Sequence, residues 1–123
     1  MRSLFFAFLL CCIMASLASA SLKVSGRGDS LRFNHGDFPP HMKTNFEVFR
    51  ASCLKCHTEQ RIVISFLSGR MPITGQEFDM DSLKSLSFRM YRKSLSKPGM
   101  LITKEQIKPT HIVLKYMMEE SSR

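Results

Sequence analysis

Two thiols and an imidazole lie close together in this chain, in the run Cys53-Leu54-Lys55-Cys56-His57. Cysteines at this spacing can form a redox pair, contribute half of a zinc site, or attach a porphyrin covalently. A redox pair of the thioredoxin type belongs in a βαβ pattern, which the surrounding sequence does not show. A zinc site requires two further ligands at matched spacing. The number of other cysteines in the functional chain therefore decides among these chemistries.

Residues 1–20 have the pattern of an export signal. A positive charge at Arg2 precedes an apolar stretch from Leu4 to Met14, and the small residues Ala18-Ser19-Ala20 follow; this is the order of a secretory signal peptide and its cleavage site. The apolar stretch is shorter than the roughly 20 residues that a membrane-spanning helix needs. We therefore expect cleavage before Ser21 and export to the periplasm.

Removal of this signal leaves Cys53 and Cys56 as the remaining cysteines of the four in the chain. Followed directly by His57, they match the C-x-x-C-H signature of c-type haem attachment. On a helical turn the two thiols match the two vinyl groups along one porphyrin edge, and the next residue lies under the iron as the proximal ligand. Haem of this type is attached outside the cytoplasmic membrane, so the export signal and the motif support each other. The sequence predicts one covalently bound haem c.

The elements that must position this motif are predicted to be helical. We expect an all-α fold of three to four helices wrapped around the haem, because no strand pattern or repeat is evident and 123 residues accommodate neither two domains nor a transmembrane bundle. Residues 21–43, rich in glycine and proline, are interpreted as an irregular N-terminal arm. Residues 44–123 are interpreted as the domain that binds the haem.

Three helices are predicted within that domain. The first covers 44–57, where Thr44 and Glu47 match a capping box and Phe46, Phe49 and Cys53 share a face. The second runs from about Asp79 to Lys93, with Asp79 or Asp81 as its cap. The third runs from Thr103 to about Met118, with Thr103 and Gln106 as another capping box. Pro109 is expected either to kink this helix or to mark where its regular part begins.

These features together resemble the single-haem bacterial cytochromes c of the class I type, over roughly residues 44–118. The pattern after the motif is closest to a periplasmic subgroup, through the segments Phe88-Arg89-Met90, Tyr91-Arg92-Lys93, Lys97-Pro98-Gly99, Ile102-Thr103-Lys104-Glu105 and Leu114-Lys115-Tyr116-Met117. The resemblance implies that a C-terminal helix crosses the motif helix and that a methionine between them is the sixth iron ligand. Two features depart from the pattern: three extra residues precede Pro98-Gly99, and Pro109 falls late.

The position marked by this resemblance makes Met90 the expected sixth ligand, with His57 as the other axial ligand. Met100 is an alternative, because other class I members use a methionine shortly before the last helix. His35 is a second alternative, since Phe33-Asn34-His35 resembles segments that precede haem motifs in bis-histidine cytochromes. A thioether ligand raises the reduction potential and a second imidazole lowers it. Further candidates with weaker support are Met71, Met80 and His41, whereas His111 is interpreted as a surface or packing residue.

The charge balance points to acidic partners. The chain has 18 Lys and Arg against 10 Asp and Glu, and of these only Arg2 lies in the export signal. Basic residues recur near the expected haem edge, at Arg50, Lys55, Arg61, Arg89, Arg92, Lys93 and Lys97. A positive rim would steer docking to redox proteins with acidic surfaces; general solubility or attraction to anionic lipid is the competing interpretation. Nucleic acid is not an expected partner, and no membrane span is expected after signal cleavage.

These observations predict a periplasmic carrier that moves one electron at a time between redox proteins and is not an enzyme. One alternative is a haem-based sensor or ligand-binding protein whose sixth position is open or weakly held. Another is a low-potential cytochrome that uses His35. A peroxidase would need an acid or base pair near the iron, which the sequence after His57 does not supply convincingly. The sequence does not distinguish a free carrier from a small subunit of a larger oxidoreductase.

Overall fold

The computed structural model describes residues 21–97, 99 and 102–123. Its regular structure within these residues is four α-helices, one 3₁₀ helix and one small antiparallel sheet. The helices are α1 (Pro40–Cys53), α2 (Glu59–Ser68), α3 (Met80–Ser96) and α4 (Lys104–Ser121). The sheet pairs β1 (Val24–Ser25) with β2 (Arg32–Phe33), and the 3₁₀ helix Gly28–Ser30 lies between them. The prediction of an all-α fold is confirmed in that the described chain is mainly helical, whereas the small sheet was not predicted. In the described part of the chain, no helix combines the length and apolar character that a membrane span requires.

The segment before α1 is part of the packed structure. Its two strands place Val24 opposite Phe33, and both Phe33 and Phe38 are buried. The backbone N–H of Leu22 donates to the carbonyl of Glu120 at 3.0 Å, which ties the segment to the end of α4. The range 21–43, interpreted above as an irregular arm, therefore contains a small hairpin, two buried phenylalanines and the first turn of α1.

Helix α1 begins at Pro40, four residues before the predicted capping box. Proline suits the first helical position, because its fixed φ matches a helix and its missing N–H would have no partner there. Thr44 instead lies inside the helix, where its hydroxyl donates to the carbonyl of Pro40 at 3.3 Å. The prediction of a start at Thr44 is therefore wrong.

The core of the molecule lies where α1 packs on α4. Phe46 and Phe49 of α1 and Val113 and Met117 of α4 are almost fully buried. The two helices run antiparallel: Phe38, just before α1, contacts Tyr116 near the end of α4 with ring centroids 5.1 Å apart, whereas residues at the end of α1 meet the first half of α4. This crossing fixes the end of α1 against the rest of the protein.

The starts of α3 and α4 are capped as predicted. The carboxylate of Asp79 accepts a hydrogen bond from the Ser82 backbone at 2.7 Å. Thr103 and Gln106 form a capping box, in which the Thr103 N–H donates to the Gln106 side chain at 3.0 Å. Pro109 lies inside α4, and the helix continues through it to Ser121.

Helix α2 follows the motif after a short turn and places Val63 and Phe66 in the core. It ends at Ser68 and is capped by Gly69, whose φ of 65° lies in the left-handed region that favours glycine. No helix is predicted from the sequence in this segment.

Candidate functional site

The C-x-x-C-H motif lies at the C-terminal end of α1. The helix ends at Cys53, and the next residues continue as a hydrogen-bonded turn. The carbonyl of Cys53 accepts from the backbone N–H of His57 at 3.1 Å and from that of Cys56 at 3.4 Å. The three chemically active residues are therefore held on one turn of backbone.

The two thiols differ in their surroundings. Cys53 is half-buried and packs against the core, whereas Cys56 and the adjacent His57 are exposed. Neither cysteine is in a disulfide. Burial raises the pKa of the Cys53 thiol, and a contact with the Ser52 hydroxyl, 3.8 Å from the sulfur, partly offsets this shift. One side of the motif therefore faces apolar protein and the other faces solvent.

A buried pair of hydroxyls fixes the position of Cys53 relative to α4. The Ser52 hydroxyl donates to the carbonyl of Val48 at 2.7 Å and lies 3.5 Å from the hydroxyl of Thr110. Both Ser52 and Thr110 are buried. Two small polar residues thus fit where α1 and α4 cross, one residue before the first cysteine. Sequence reasoning missed this pair, because the two residues are far apart in the chain and neither belongs to a motif.

The residues after the motif are anchored from the other side. The Glu59 carboxylate accepts a hydrogen bond from the backbone N–H of Phe33 at 3.0 Å. Glu59 is the first residue of α2 and lies two residues beyond His57, so this bond joins the start of α2 to strand β2. The motif is therefore held between a fixed helix end and a fixed helix start.

Met90, the predicted sixth ligand, is half-buried on α3. One turn earlier, the buried hydroxyl of Ser87 donates to the Leu83 carbonyl at 2.8 Å. A hydroxyl has one proton to donate, so Ser87 accepts its second hydrogen bond, at 2.8 Å, from Nε2 of His111. Burial, and to a lesser degree the positive charge of Lys84, lowers the pKa of His111.

The motif helix and the Met90 helix meet α4 at consecutive residues. Ser52 of α1 faces Thr110, and Ser87 of α3 bonds His111. Helix α3 packs on α4 but makes little contact with α1, and it buries only Leu83 and Ser87 fully. Met90, three residues after Ser87, is half-buried, so its side chain is not fully covered by protein.

The other proposed ligands lie in different settings. The ring of His35 is stacked on Phe46, with centroids 4.6 Å apart and planes at 25°. Phe46 precedes Cys53 by seven residues, or about 10 Å along the helix axis. His41 is exposed in the first turn of α1, Met71 is half-buried in the loop after α2, and Met80 starts α3 against the core. Met100 lies outside the described residues.

Within the described ranges, no three His, Cys, Asp or Glu side chains are grouped as a metal site would require. A groove of about 540 Å³ does exist, between the end of α2, the start of α3 and the end of α4. Its apolar walls include Phe66, Phe78, Met80 and Met118. None of the motif residues lines it, so the groove is separate from the candidate site.

A scan against protein-family models found no match to this chain, and neither the curated proteins nor the solved structures gave one. Its function must therefore be inferred from its own residues.

Proposed function

We propose that this chain is an exported monohaem c-type cytochrome that carries one electron at a time between redox proteins. The observation that carries the proposal is the C-x-x-C-H motif on a single backbone turn at the end of α1, with both thiols free of a disulfide. Thioether attachment needs two reduced thiols, and an imidazole next to them can bind the haem iron; this turn supplies all three groups.

A haem attached to the motif would lie next to apolar protein. Cys53 and Leu54 lie against the core on one side of the turn. Met90 of α3 is half-buried, and α3 packs on α4 while making little contact with α1. A porphyrin inserted between α1 and α3 would add apolar contacts to both, so the proposed fold has its helices wrapped around the haem.

Each residue then has a defined role. Cys53 and Cys56 would hold the haem through thioether bonds, His57 would be the proximal iron ligand and Met90 the sixth ligand. When bound, the haem iron supplies the one-electron redox chemistry. The Cys53 carbonyl restrains the backbone of His57 by accepting its N–H. Ser87 and His111 restrain the turn of α3 that precedes Met90. A thioether at the sixth position would favour ferrous iron and a higher potential than an imidazole.

Exposed basic residues near the motif support an acidic partner. Arg50 lies one turn before Cys53, Lys55 lies within the motif and Arg61 lies in the first turn of α2. All three are exposed, and only Arg50 forms an ion pair in the described chain, with Glu47 at 3.3 Å. Such charges accelerate encounter with an oppositely charged redox protein, with rates that fall as salt rises.

Residues 1–20 lie outside the described residues, so periplasmic export is part of the proposal.

The first experiment tests covalent attachment. The full chain is produced in a bacterium that carries a c-type haem maturation system, and the purified protein is denatured and stained for haem. We expect haem to remain with the wild-type polypeptide and to be lost from the Cys53→Ala/Cys56→Ala variant. The matched control, Ser85→Ala on the exposed side of α3, should retain it. A wild-type chain that carries no covalent haem would refute the proposal.

The second experiment identifies the sixth ligand. A methionine ligand gives ferric c-type haem a weak near-infrared band from sulfur to iron. We expect this band in the wild-type protein and in Met80→Ala, and its loss in Met90→Ala together with a changed potential. Retention of the band in Met90→Ala would indicate Met100. If the wild-type protein gives a low-spin spectrum without the band, the sixth ligand is His35. If the wild-type protein gives a high-spin spectrum, the protein is a sensor or an enzyme.

A further inference from the structure

Two large apolar side chains are exposed on the outer side of α3. Phe88 is 55% exposed and Leu95 is 66% exposed. They are seven residues apart, so they lie on the same side of the helix about two turns from each other. Met90 follows Phe88 by two residues, which places it about 200° around the axis. This apolar pair therefore faces away from Met90.

The same helix surface is strongly basic. Arg92 lies between Phe88 and Leu95 along the outer side, and Arg89 flanks it. No Asp or Glu occurs between Lys84 and Lys97. Lys84 pairs with Asp81 at 3.6 Å, whereas Arg89 and Arg92 form no ion pair within the described ranges. Their charges are therefore available to an anionic ligand.

We propose that this face of α3 binds the surface of an anionic phospholipid bilayer. Phe88 and Leu95 would insert at the boundary between headgroups and acyl chains, and Arg89 and Arg92 would contact the phosphate groups. A basic helix with exposed aromatic and aliphatic residues on one side is suited to lie in the membrane interface.

The position of the face favours a membrane over an acidic redox protein. A redox partner docked on Phe88 would be separated from the Met90 side by the width of α3, about 10 Å. Such a separation would not help electron transfer to a docked partner. Membrane attachment, in contrast, does not depend on the distance to the iron. The face would leave the C-x-x-C-H side free for a second protein. This inference goes beyond the proposed electron-transfer function, and only the choice of a membrane over a redox protein rests on that function.

The test measures binding of the full purified chain, with whatever haem it carries, to lipid vesicles by co-sedimentation. One vesicle type contains equal parts of phosphatidylglycerol and phosphatidylcholine, and the other contains phosphatidylcholine alone. We expect binding to the anionic vesicles, little binding to the neutral ones, and release at high salt. The Phe88→Ser/Leu95→Ser variant should bind at least about tenfold more weakly. Arg89→Gln/Arg92→Gln should lose about fivefold for each charge removed.

Matched variants elsewhere on the surface serve as controls. Ile73→Ser removes an apolar side chain that is 88% exposed in the loop after α2. Lys104→Gln/Lys108→Gln removes two exposed charges from α4. Both controls should bind the anionic vesicles nearly as well as the wild type, and circular dichroism should show the same helix content in all variants.

Three results would overturn the inference. The first is equal binding to neutral and anionic vesicles. The second is an equal loss of binding in the α3 and control variants. The third is no binding to the anionic vesicles; if the Arg89→Gln/Arg92→Gln variant then also exchanges electrons with an acidic redox protein more slowly than the wild type does, this face is a protein-docking site. The haem spectrum, recorded separately, tests the proposed function, so failure of one is distinguishable from failure of the other.

Discussion

Replacement of Phe46 should remove a large part of the stability that holds the motif helix in place. The side chain of Phe46 is fully buried, and its ring contacts Phe33, Phe38 and Phe49 with centroids 6.1, 5.6 and 5.4 Å away. Truncation of a buried phenylalanine to alanine costs about 3–5 kcal/mol, and each lost aromatic pair contributes about 0.5–1.5 kcal/mol beyond area burial. We therefore expect Phe46→Ala to lower the free energy of unfolding by about 4 kcal/mol.

The assay is urea unfolding of the purified protein, followed by circular dichroism. Domains of this size have a total stability of about 5–15 kcal/mol, so the variant should unfold at clearly lower urea or fail to accumulate. Phe46→Leu, which keeps most of the apolar volume, should lose about 1–2 kcal/mol. Phe88→Ala is the matched control, because the same residue type is 55% exposed there. A loss no larger in Phe46→Ala than in Phe88→Ala would refute this account of the core.

Three further perturbations test the helix caps and a half-buried histidine. Thr103→Ala should lower the stability by about 1 kcal/mol through loss of the capping box, whereas Thr44→Ala, inside α1, should change it little in the same urea assay. The hydrogen bond from the Ser82 backbone N–H lowers the pKa of Asp79, so its stabilisation is present near neutral pH and is lost as pH falls through the lowered folded-state pKa; Asp79→Asn should show a smaller loss of melting temperature in acid. Burial lowers the pKa of His111, so the unfolded chain takes up the proton first and stability should fall as pH drops from about 7 toward 5. His111→Gln should flatten that part of the curve, and an unchanged slope would contradict the assigned environment.

Local signals predicted the parts of the fold that depend on a few neighbouring residues. The caps at Asp79 and Thr103 were predictable because side chain and backbone partner lie within three residues. The start of α1 was not predictable in this way, because Pro40 and the Thr44 capping pattern each indicate a helix start. Tertiary packing favours the earlier of the two. The two strands span two residues each, too few for alternation of polar and apolar residues to be recognised.

The candidate site likewise has one part that the sequence predicts and one part that it does not. The C-x-x-C-H turn is visible in the sequence because its chemistry depends on adjacent residues. The contacts that position it, between Ser52 and Thr110 and between Ser87 and His111, join residues 58 and 24 positions apart. Serine, threonine and histidine carry no periodic signal that distinguishes a buried pair from an exposed one. These contacts therefore become visible only when the helices are placed together.

The packing of α1 on α4 can form only after α4 has been synthesised. The motif is near the middle of the chain, whereas α4 is the last helix to be synthesised. About 50 residues separate His57 from α4, which corresponds to roughly 2–10 s of chain growth at ordinary rates. During that interval Ser52 has no Thr110 to contact, so the motif end of α1 reaches its final packing only after α4 has been made. The order of the helices thus makes the surroundings of Cys53 one of the last parts of the fold to form.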